Sequence, residues 1–131
     1  MRSKGIYFIS LILLLVACSA QENEQHNKYL SEYGWHAKKL LAKETFVLKM
    51  PEELLVNYEA NALFFFREYE GEEVTQFLYL LKERDTERER LKAVIYECNG
   101  EIIGGHGILP NWIPGIFRLE DKERLQEDKK I

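Results

Sequence analysis

Cysteine and histidine are both scarce in this chain, and each scarcity excludes something. There are two cysteines, Cys18 and Cys98. A framework of several disulfides is therefore impossible, and packing must hold the fold. No Cys-x-x-Cys occurs, and no two of His26, His36 and His106 stand four residues apart. A zinc site would lack its usual ligand spacing, so no metal and no cofactor is expected. No Gly-x-Ser-x-Gly nucleophile elbow is present. No apolar run reaches the roughly 18 residues of a spanning helix. Basic charge is not in excess either. The formal net charge is −4, which argues against nucleic acid as a partner.

What is there begins at the N-terminus. Arg2 and Lys4 precede the run Ile6 to Val16, which is apolar apart from Ser10 and softened by Tyr7. Its length suits the apolar region of a secretory signal. Leu15-Val16-Ala17-Cys18 closes it and resembles the lipobox of bacterial lipoproteins. In that class the cysteine thiol receives a diacylglycerol and the leader is cut before it, here between Ala17 and Cys18. A buried acyl chain contributes about 0.8 kcal/mol per CH₂, and two chains give lasting attachment where one does not. The alternatives are an ordinary secretory signal and an uncleaved anchor. Removing residues 1–17 takes away Arg2 and Lys4 and no acid, so the formal charge falls from −4 to −6. Broad polybasic attraction to anionic lipid is thus not expected. The expected organisation is a signal peptide over 1–17, a lipidated Cys18 with a flexible tether over 18–26, one domain over 27–119 and a charged tail over 120–131. The expected location is the outer face of the cytoplasmic membrane.

Periodicity outlines the domain. Tyr29, Leu30 and Tyr33 share a helical face, and Gly34 suits the residue after a helix end. Lys43 to Lys49 reads as a strand, while Ala37 to Ala42 fits either a helical turn or an edge strand. Pro51 suits a first helical position. Leu54, Leu55, Tyr58, Ala62, Phe65, Phe66 and Tyr69 then trace one wide apolar face as far as Gly71. Strands are expected over 74–81, 91–98 and 101–109. Asn99-Gly100 is a strong signal for a two-residue hairpin turn. Gly104, Gly105 and Gly107 predict a bulge or a close backbone approach in the return strand. Residues 115–119 read as a last short strand or cap, and 120–131 as a fraying helix or disorder. The fold class is α+β: one main helix on an antiparallel meander of three to four strands, with a short N-terminal helix.

Chemistry-bearing residues are few. Cys98 and His106 fall on neighbouring strands, where contact would make a thiolate nucleophile. A turn at 99–100 instead pairs Cys98 with Glu101 and sets His106 near Val94 or Lys92, so a core role suits Cys98 better. The acidic residues are mixed with Lys and Arg, as on a solvated face. Trp112 and Ile113 sit in a loop beside prolines. Trp112, with Ile113 beside it, serves as a contact for a partner, or Trp112 plugs the open end of the sheet.

The order of several weak motifs resembles a family of short Gram-positive lipoproteins and secreted proteins carrying a domain of unknown function. These are Tyr29-Leu30, Tyr33-Gly34-Trp35, Met50-Pro51-Glu52-Glu53, the Tyr69, Gly71 and Val74 step, Gly100-Glu101-Ile102-Ile103-Gly104-Gly105, and a glycine near the end at Gly115. The likeness spans residues 29–119 and implies the fold unit without an activity. The expected function is a non-enzymatic, membrane-tethered binding or accessory module with an envelope protein as partner. A small thiol- or histidine-dependent envelope enzyme is the alternative, and a structural envelope role is a third reading.

Overall fold

Leu91-Lys92-Ala93-Val94-Ile95-Tyr96-Glu97-Cys98 explains the layering. Successive side chains of a strand point to opposite faces. Leu91, Ala93 and Ile95 take one face, Val94, Tyr96 and Cys98 the other, and all six are buried. A strand that is apolar on both sides needs cover on both sides. The computed structural model describes residues 23–113 and 115–131. The signal peptide, the Ala17–Cys18 cleavage site and the lipidation site lie outside them.

The described residues form a five-stranded antiparallel meander in the order β1-β2-β3-β4-β5. The strands are β1 (Ala37–Val47), β2 (Glu73–Arg84), β3 (Arg90–Cys98), β4 (Glu101–Ile108) and β5 (Ile116–Phe117). The first face packs Phe77, Tyr79, Leu81 and Ile95 under Leu30 of helix α1 (residues 23–32). Trp35, Leu119 and Leu125 complete that layer. Leu119 opens a 3₁₀ turn (Leu119–Asp121) that leads into α4 (Lys122–Glu127), which carries Leu125. On the second face, Leu55 of α2 (Glu52–Ala60) and Phe66 of α3 (Phe65–Glu68) pack with Val74, Val94, Tyr96 and Cys98. Each large apolar side chain buried in this way contributes about 1.5–3 kcal/mol.

The α+β class and the antiparallel sheet match the expectation, but the finer description needs correction. There are five strands where three to four were expected, and helices cover both faces. The single long helix expected after Pro51 is broken in two. Ala62 adopts φ 60, Ala62 N–H donates to the Glu59 carbonyl, and Leu63 N–H donates to that of Tyr58. These bonds close a Schellman cap, and the break turns Phe66 onto Tyr58, with ring centroids 4.6 Å apart. Gly34 caps α1 in the same way: Trp35 N–H reaches the Leu30 carbonyl and Gly34 N–H that of Ser31.

Two boundaries also move. The tether was expected to run through residue 26, yet residues 23–26 are helical and His26 is fully buried. The charged tail is drawn into the core, because Leu125 is 1% exposed and Ile131 packs against the same cluster. Arg118, Asp121 and Arg124 pair around the start of α4. The Arg118 hydrogen bond holds the Asp121 carboxyl below its usual range. In β4 the bulge expected of the glycines is present, and the groups that come close to Gly104 and Gly107 are aromatic rings rather than another backbone. The register shifts between Tyr96 and Glu97, and a Cβ on Gly104 would stand 2.4 Å from the Phe65 ring. Gly107 leaves room for the Phe117 ring, which would otherwise come within 2.0 Å.

Candidate functional site

Between α2 and the end of the meander lies an apolar groove of about 490 Å³. Leu54, Asn57, Tyr58, Ala60 and Asn61 form one wall, and Ile113 and Ile116 the other. The α2 wall is set by the helix period, which turns Leu55 inward and leaves Leu54 41% exposed. Asn61 donates its side-chain amide to the Asn57 carbonyl, which fixes the rim at the helix end. The opposite wall is fixed where Leu109 N–H donates to the Gly115 carbonyl at 2.7 Å and closes the loop. Ile113 is fully exposed and Trp112 about half exposed. The plug reading of this loop is therefore overturned: neither residue fills the end of the sheet. Lys130 lies 4.6 Å from the centre of the Trp112 ring, so the indole is held at the surface by its cation contact.

Behind the groove, Tyr58 meets His106 at 5.8 Å between ring centroids. His106 Nε2 is 3.0 Å from the Tyr96 hydroxyl, and Nδ1 is 3.3 Å from the Gly107 carbonyl. Nδ1 must donate to the carbonyl, so Nε2 accepts from Tyr96. Burial holds the His106 pKa down at about 4. The imidazole is therefore neutral near pH 7, and its two nitrogens are spent on the protein itself.

Cys98 is not brought to His106. Cys98 pairs with Glu101 across the hairpin and His106 with Val94. Asn99 and Gly100 adopt φ 53 and 78, as the turn expected there requires. The Cys98 thiol is buried and 3.4 Å from Glu72. Burial, then the Glu72 carboxylate, pushes its pKa up. An activated thiolate needs the reverse, a cation or an adjacent base.

The histidines occupy three separate settings. His36 is exposed beside Glu83. His26 is wholly buried, with Nδ1 2.5 Å from the Tyr79 hydroxyl and Nε2 donating to the Glu97 carboxylate. Its ring stands edge-on to Phe77 at 4.4 Å. This Tyr79–His26–Glu97 cluster pins α1 to β2 and β3. Sequence reasoning weighed His26 only as a metal ligand. The signal for its real place was the spacing His26, Leu30, Tyr33, one stripe of a helix. Among the described residues no group of three His, Cys, Asp or Glu is arranged to hold a metal ion.

No protein-family model, no curated protein and no solved structure matches this chain. The site must be argued from its own geometry.

Proposed function

We propose that this chain is a lipid-anchored, extracytoplasmic binding module, tethered through Cys18 and capturing an apolar segment of an envelope protein in the groove between α2 and the wall of Ile113 and Ile116. The observation that carries the reading is the groove itself, with Leu54 and Ile113 exposed on facing walls. Exposed apolar side chains around a concave surface mark interaction sites. The loop wall is closed by its own backbone bond, so little ordering cost is added on binding. Asn57 and Asn61 at the rim suit the backbone amides of a peptide.

The test is site-specific photocrosslinking from position 113 in living cells. One recurrent adduct should form, and Leu54→Asp on the facing wall should abolish it while leaving the urea midpoint unchanged. An adduct that survives Leu54→Asp removes the groove from the account. Mass spectrometry of the purified chain tests the anchor separately: a diacylglyceryl adduct on an N-terminal Cys18 is expected, and an unmodified Cys18 would refute it.

A further inference from the structure

We infer that β1 is a membrane-contacting edge that lays Lys38, Lys39, Leu40 and Leu41 against an anionic bilayer. β1 is the odd strand of the sheet. It runs 11 residues at the open edge and is exposed along nearly its whole length. Its pairing with β2 breaks twice, between Ala37 and Lys39 and between Leu40 and Ala42. Lys38 and Leu41 are the two residues left without a partner on β2, one cationic and one apolar, three positions apart.

The side-chain chemistry fits lipid. β1 holds Lys38, Lys39 and Lys43 against the single acid Glu44, within a chain of formal charge −4. Leu40 is 41% exposed and Leu41 40% exposed. Lysines that meet anionic headgroups beside leucines that enter the acyl boundary are the parts of an interfacial contact. The overall negative charge, which argued against membrane attraction, is therefore unevenly spread.

Position agrees with chemistry. The recess beside the bulges is lined by Asn23 and Asn27 of α1 together with Lys38, Lys39 and Leu40. The described chain thus enters its first helix next to the basic stretch. Residue 23 is five residues beyond Cys18, a reach of at most about 18 Å. A second copy adding its strand to this edge is the rival occupant. Lysines and bulges on an edge strand oppose such pairing. The contact rests on the N-terminal attachment in the function proposed above, but it fails separately from it.

The experiment uses the full chain, purified from a bacterial host and reconstituted into vesicles of phosphatidylcholine with or without phosphatidylglycerol. An environment-sensitive fluorophore is placed on Leu41→Cys, with Leu40→Cys as an independent repeat and Ile113→Cys for the opposite edge of the sheet. A headgroup nitroxide lipid serves as quencher. Attachment through a lipid on Cys18 or through an uncleaved apolar leader holds the chain equally, so the readout is independent of processing. Several-fold stronger quenching at 41 than at 113 is expected on anionic vesicles. It should fall to the level of 113 when Lys38→Glu and Lys39→Glu are combined, and weaken in high salt. Chain that floats with vesicles but shows no excess quenching at 41 overturns this contact and leaves the anchor standing. Chain that does not float overturns both. Concentration-dependent dimerisation that protects position 41 without vesicles assigns the edge to a second copy instead.

Discussion

Replacing His106 by glutamine should remove most of the stability that this domain loses between neutral pH and pH 4. In the native protein His106 is buried and neutral, accepting at Nε2 from the Tyr96 hydroxyl. A proton on Nε2 would end its capacity to accept from that hydroxyl and would place a charge in a buried site. Burial lowers the pKa from 6.5 to about 4. Between those values the unfolded chain binds a proton that the native chain does not. Stability therefore rises with pH across this window and is lost as pH falls through it. Each unit is worth about 1.4 kcal/mol, so the loss reaches about 3 kcal/mol by pH 4. Domains of this size are stable by only about 5–15 kcal/mol. The carboxyls that arginines hold down, on Glu52, Glu59 and Asp121, contribute stability that is lost only once their unfolded counterparts protonate, around 3.8 to 4.5, so they enter at the acid end of this window. Urea unfolding at half-unit steps from pH 7.5 to 4.5 reads the effect as the gap between parent and His106→Gln. A gap that does not change with pH refutes the reasoning, as does a His106 ring resonance titrating near 6.5 in the folded protein.

Two further perturbations bear on the same core. His26→Ala should cost about 2–4 kcal/mol in urea unfolding, because it deletes a fully buried ring packed on Phe77 together with its bonds to the Tyr79 hydroxyl and the Glu97 carboxylate. A cost below about 1 kcal/mol would show that α1 is held by its leucine and tyrosines alone. Native Cys98 should react with iodoacetamide only as fast as the protein opens, and reach a free thiol's rate in urea, given its burial and raised pKa. Rapid native alkylation would restore the thiol-enzyme reading.

Whether the fold could be read from the sequence depended on how local its cause was. The 99–100 hairpin, and with it the Cys98–Glu101 pairing, followed from two residues whose conformational preference decides the turn. The strands 74–81 and 91–98 were legible from their apolar runs, but the first read as the central one, whereas β3 takes that place in the sheet. The break at Ala62 was not: alanine is a strong helix former, and its positive φ is rewarded by the cap hydrogen bonds and by the packing of Phe66 on Tyr58, neither of which alanine announces. His26 and Leu125 were missed for a related reason. Each is one buried residue in a polar run, so composition spoke for solvent while spacing spoke for a helix with one inward stripe. At the candidate site, Trp112 and Ile113 were visible as a constrained aromatic and apolar loop. Their facing wall was hidden, because Leu54 reads as core until Leu55 is seen to take the inward place.

The two proposed surfaces constrain one another. β1 and β5 are opposite edges of a five-stranded sheet, and strands lie about 4.8 Å apart, so the edges are separated by about 19 Å. The groove includes Ile116 of β5 and the loop before it. With β1 on the headgroups, the β5 wall of the groove stands about 20 Å from them. A partner reaching it must present its apolar segment at that height, as an envelope protein beside the membrane does and a lipid tail does not. With β1 free, the short link to Cys18 would let the domain turn, and Ile113 and Trp112 would themselves be candidates for insertion. The comparison of positions 41 and 113 thus orients the domain and decides, in the same measurement, whether the exposed loop is kept for a protein.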